Sequence, residues 1–113
     1  MDNRELAIHI GEILSAKKAE HIIVLGIAEQ SSFADYFVNV TAMNERQLAA
    51  LADEAEDQLA KEGIIPKNIE GKPSSGWILM DYGDIVVNLF LPEQRDMYQL
   101  EKIWGDGKFI SIE

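Results

Sequence analysis

Two histidines, a few carboxylates at expected strand ends and two serine pairs are the groups in this 113-residue chain whose types could do chemistry. His9 falls inside an expected helix and His21 begins an expected strand, and spacing places no third ligand beside either. They read as solvated or capping histidines rather than as metal ligands or a general base. Asp35, Asp81 and Asp84 are the carboxylates best placed for metal-assisted phosphoryl transfer, which needs two of them converging on one Mg²⁺. In a strand, residues i and i+2 share a face, so Asp-x-Asp would serve. Asp81-x-x-Asp84 instead crosses a turn, where aspartates bond turn backbone. Ser31-Ser32 and Ser74-Ser75 lack the G-x-S-x-G setting of an activated nucleophile. Neither a P-loop nor a dinucleotide-binding glycine motif is present. With no cysteine, disulfides, thiolate chemistry and cysteine zinc sites are absent.

The elements that would position these groups follow from periodicity. A helix is expected from Asn3 to Lys17, capped by Asp2 or Asn3, with Leu6, Ile10, Ile13 and Leu14 on one stripe. His21–Ile27 reads as a strand whose continuous apolar run suits burial on both faces. Ala34–Thr41 is a second strand. Asn44 caps a long helix with Gln47 as capping-box partner and Gly63 as its C-terminal glycine. Leu48, Leu51, Ala52, Ala55 and Leu59 form its apolar stripe. Asn68–Glu70 reads as a short strand, Trp77–Met80 and Ile85–Leu91 as a hairpin around Asp81–Asp84, and Glu93–Ile103 as a last helix. Phe109–Ile112 reads equally as a small edge strand or an ordered tail. The order gives one α+β domain over 1–113, a mixed five-stranded sheet flanked by helices.

Ten basic residues face twenty acidic ones, a net charge of -10. The basic residues are scattered, which argues against gripping a phosphate backbone and predicts little direct nucleic-acid contact. An acidic surface steers toward basic partners, and it also serves plain solubility. No run of apolar residues is long enough to span a bilayer, and the N-terminus carries no signal or transit pattern, so the expected location is the cytoplasm.

One segment stands out, from Glu70 to Trp104. Trp77 and Tyr82 flank the expected hairpin, Tyr98 and Trp104 lie on or beside the last helix, and acidic residues sit between them. Exposed Tyr and Trp are preferred anchors of protein interfaces. Trp77 and Tyr82 read evenly as interface anchors or partial core. The contact surface expected from this segment comprises Trp77, Met80, Asp81, Tyr82, Tyr98 and Glu101.

The residues Ser31-Ser32-Phe33-Ala34-Asp35-Tyr36-Phe37-Val38, Glu70-Gly71, the run Trp77 to Val87 and the run Arg95 to Trp104 carry a resemblance. Through them the chain resembles the ribosomal silencing factor family, also called Iojap-like. The resemblance implies a nucleotidyltransferase-like fold without the catalytic carboxylates, hence no enzyme, cofactor or metal. It implies binding to the large ribosomal subunit through its ribosomal protein fourteen, a steric block to the small subunit, and lowered translation when nutrients are short. It also implies a homodimer when the protein is free. Subunit assembly is the alternative, and a residual Mg²⁺-dependent nucleotidyltransferase using Asp35, Asp81 and Asp84 a remoter one. Two positions depart from the family pattern: Asn88 and Gln47 stand where histidines are usual. Both keep hydrogen bonding but do not titrate.

Overall fold

Two helices lie against one face of a six-stranded mixed sheet in a computed structural model that describes residues 2–27, 34–93 and 108–112, the last as backbone alone. The elements are α1 (Asn3–Ala16), β1 (Glu20–Gly26), β2 (Tyr36–Thr41), α2 (Glu45–Lys61), β3 (Asn68–Lys72), a 3₁₀ turn (Pro73–Ser75), β4 (Trp77–Asp81), β5 (Ile85–Phe90) and β6 (Lys108–Ile112). The sheet order is β3-β4-β5-β2-β1-β6. Among the described residues only β2 and β5 pair in parallel; every other neighbouring pair is antiparallel. The expected α+β fold is therefore present. The expected five strands gain a sixth, because Lys108–Ile112 pairs along β1. The expected last helix, Glu93–Ile103, extends beyond the described residues. Among the described residues no helix is long and apolar enough to cross a membrane.

Period-two alternation divides the sheet's side chains. Val24, Val38, Val40, Ile78, Met80, Val87 and Leu89 share one core cluster with Ala7, Ile10 and Leu14 of α1 and Leu48, Leu51, Ala55 and Leu59 of α2. The stripe expected on α2 is buried throughout. On α1 the fully buried residues are Ala7, Ile10, Gly11 and Leu14, with Leu6 and Ile13 only flanking the cluster. Leu25, Phe37 and Val86 belong to a second cluster on the opposite face, against which Leu79 packs. Both faces of β1 and β5 are thus covered, which explains their unbroken apolar runs.

Both helices end in the same hydrogen-bonded motif, a carbonyl three residues before the cap taken by the second residue beyond it. After α2, Gly63 supplies the left-handed residue with φ +79° and Ile64 donates to the Leu59 carbonyl. After α1 the left-handed residue is Lys18, φ +67°, and Ala19 donates to the Leu14 carbonyl. A side chain in this conformation costs roughly 1–2 kcal/mol, partly offset by glycine's larger chain entropy. Lys18→Gly is therefore expected to stabilise the fold by about 0.5–1 kcal/mol, read as a higher urea midpoint at unchanged m-value.

Gln47 ties the start of α2 to the end of α1. Its backbone N–H donates to Asn44 Oδ1 at 2.8 Å, as an N-cap requires. Its Oε1 accepts from the Met43 N–H at 2.6 Å, one residue earlier than a standard capping box. Its Nε2 donates to the Lys18 carbonyl at 3.2 Å. A glutamine side chain is long enough to make the last two bonds without a titratable group.

Candidate functional site

The hairpin of β4 and β5, extended by β3, presents the residues singled out in the sequence. Alternation in β4 separates them. Trp77, Leu79 and Asp81 are half-buried on the face away from the helices, while Ile78 and Met80 are buried on the helix side. Met80 is 0 % exposed, so it is core and does not belong to the expected contact surface. The reason is its parity: residues 77 and 80 of one strand cannot share a face.

Among the described residues a ring stack, a hydrogen bond and a cleft mark the setting of Trp77. Its indole stacks on Phe90, its direct partner on β5, with ring centroids 5.7 Å apart and planes 18° from parallel. Its Nε1–H donates to Asn88 Oδ1 at 3.1 Å. Beside it opens a cleft of about 90 Å³ lined by Glu70, Gly71, Trp77 and Leu79. Gly71 keeps that cleft and the strand pairing possible. It sits at φ +88°, and a Cβ there would lie 2.1 Å from the Trp77 carbonyl oxygen.

Behind Trp77 runs a polar line between strand neighbours that are apolar and buried. Asn88 and Asn39 are direct partners across the parallel β2–β5 pair, 1 % and 0 % exposed. Asn88 Nδ2 donates to Asn39 Oδ1 at 3.0 Å. Asn39 Nδ2 is buried and has no hydrogen-bond partner among the described residues. The sequence reading did not single out Asn39. Its signal was the matching position of one asparagine in each of two apolar strands, YFVNVT and IVVNLF.

Of the two readings open for Tyr82, partial core is the one found. It packs partly buried against the helix-side cluster, and its hydroxyl is buried without a partner among the described residues. Burial, aided by the Glu56 carboxylate, pushes that hydroxyl up to about 12. An unmatched buried hydroxyl is unfavourable, so Tyr82→Phe is expected to stabilise the fold at neutral pH by about 1 kcal/mol. The pH dependence has a definite sign. The folded state holds this proton more tightly than the unfolded chain does. Its contribution is intact below pH about 10 and is lost as the pH rises toward 12. Denaturant midpoints of the wild type and Tyr82→Phe across that range check this: the phenylalanine variant should fall less steeply.

The carboxylates sort as two and one. Asn3 Nδ2 donates to Asp35 Oδ2 at 2.9 Å and to Asp84 Oδ2 at 3.2 Å, so these two converge at the start of α1. The Asp84 carbonyl also accepts from the N–H groups of Asp35 and Tyr36. Asp81 does not join them: its Oδ1 accepts from the Gly83 N–H at 2.8 Å, closing its own turn. Among the described residues no group of three or more His, Asp or Glu is arranged to hold a metal ion. His9 pairs with Glu62, the C-cap residue after α2, at 2.7 Å. His21, exposed, sits at φ +49° where β1 shifts register. Ser31, Ser32, Tyr98, Glu101 and Trp104 lie outside the described residues.

The family model described as "Ribosomal silencing factor during starvation" matches residues 1–113. A protein named ribosomal silencing factor RsfS from Halalkalibacterium halodurans is 35% identical over 113 residues, covering 100% of this chain and 97% of that one. A crystal structure of a Chromobacterium violaceum protein superposes with a TM-score of 0.88 at 33% identity, covering 93% of this chain and 88% of that one. A mouse protein named mitochondrial assembly of ribosomal large subunit protein 1 is 32% identical over 95 residues, spanning 81% of this chain and 42% of its own length.

Proposed function

The chain belongs to the ribosomal silencing factor family, and on that premise we propose that it is a non-catalytic, cytoplasmic repressor of translation. It binds the large ribosomal subunit through ribosomal protein fourteen and sterically blocks the small subunit, most of all when nutrients are short. The observation that carries this reading is the family match over all 113 residues. The net charge of -10 supports a basic protein partner over bare RNA.

The proposed contact surface keeps Trp77 and Asp81 on the outer face of β4, with the rim of Tyr82 at the turn and Tyr98 and Glu101 beyond the described residues. Glu70 and Trp77 line the cleft beside it, a pairing of carboxylate and indole that suits a lysine or arginine side chain. When free, the protein forms a homodimer through the same surface, so dimer and ribosome compete. Co-sedimentation with separated subunits tests the partner. The chain should pellet with large subunits and not with small ones, and absence from the large-subunit pellet would refute the reading.

A second reading, assembly of the large subunit, is favoured by the similarity to the mouse assembly protein. Subunit profiles of a deletion strain separate the two. Large-subunit precursors accumulating during growth would favour assembly, whereas normal subunits with unrestrained translation on starvation would favour silencing.

A further inference from the structure

Asn39 and Asn88 are a costly pair to keep in the middle of a sheet. Their strand neighbours Val38, Val40, Val87 and Leu89 are all fully buried and apolar. An apolar pair at 39 and 88 would leave no amide unmatched, whereas the present pair leaves Asn39 Nδ2 buried without a partner among the described residues. Residues that oppose stability in this way are expected where function needs them.

Their orientation follows from the indole. Tryptophan Nε1–H can only donate, so Asn88 must turn its oxygen toward Trp77. Its amide nitrogen then faces Asn39 and must find an acceptor, which the Asn39 oxygen supplies. The Asn39 nitrogen is left over. The direction of the whole line is set from the Trp77 end.

We propose that Asn88, held by Asn39, is a positioning residue that fixes the Trp77 indole in the orientation used for docking. It rests on the reading of Trp77 as a docking residue. The stack on Phe90 alone restrains the tilt of the ring but permits sliding within its plane. The hydrogen bond to Asn88 pins the nitrogen edge two residues away along β5. An indole fixed before docking loses less rotamer freedom when the partner arrives. An asparagine does this without titrating, so the setting does not change with pH.

The test uses the full chain with Asn88→Leu, Asn39→Leu/Asn88→Leu, Trp77→Ala and Trp77→Ala/Asn88→Leu, binding purified large subunits. The paired leucines leave no amide behind, so this variant folds even if the single one does not. In both leucine variants the Trp77 indole N–H resonance should move upfield and exchange faster with solvent. Loss of one hydrogen bond should weaken binding about three- to tenfold. On the Trp77→Ala background Asn88→Leu should add nothing. An unchanged indole resonance in the leucine variants would overturn the proposal, whatever the ribosome does. So would wild-type binding by the paired variant while Trp77→Ala binds weakly, or an equal further loss on the Trp77→Ala background. If Trp77→Ala itself binds like wild type, the docking reading fails and this inference fails with it.

Discussion

Trp77→Ala should weaken binding to the large subunit by about 2 kcal/mol or more, roughly 30-fold, while leaving the far-UV spectrum unchanged. Three features of the residue argue for an effect of this size. The residue is only half buried, on the outer face of β4. What is buried is already ordered by the Phe90 stack and the Asn88 hydrogen bond. The cleft beside it carries Glu70 at its edge, on a chain with ten more acidic than basic residues. Trp77→Phe makes an informative companion. It keeps the stack and loses the donor, so its loss should be smaller. Titrating labelled chain into large subunits measures all three proteins, and full affinity in Trp77→Ala would remove this residue from the contact surface.

Gly71→Ala is the second large effect, and it acts on the scaffold. The left-handed backbone alone costs roughly 1–2 kcal/mol with a side chain present. A Cβ 2.1 Å from the Trp77 carbonyl oxygen also forces β3 and β4 apart, because the clash is with backbone and no rotamer relieves it. Together these should cost about 3 kcal/mol, a fall of roughly 10–15 °C in Tm. Binding should fall as well, since the same residue lines the cleft beside Trp77. Gly63→Ala is the control. Its φ of +79° is similar, but no atom lies within 4 Å of the added Cβ, so it should cost less and spare binding.

How far these sites could be read from sequence depends on what kind of signal each residue carries. The helix stripes and the hairpin turn were legible because burial follows period and turns need particular residues. Leu48 to Leu59 and Gly83 at φ +90° are examples. Met80 was misplaced for want of the same rule: counting by twos from Trp77 puts it on the other face. Tyr82 was legible only as a choice between interface and partial core, and partial core is the one observed. Its turn position says nothing about a ring folding back onto a core built from distant helices. The Asn39–Asn88 line needed knowledge that β2 and β5 are neighbours in parallel register, which depends on topology. The sixth strand was ambiguous for the same reason, as its partner β1 lies more than eighty residues earlier in the chain.

Subunit joining followed by light scattering tests the central proposal most directly. Large subunits incubated first with the chain should fail to gain scattering when small subunits and Mg²⁺ are added, and Trp77→Ala should largely restore the signal. Joining at the normal rate and extent, with the chain demonstrably bound to the large subunit, would contradict it.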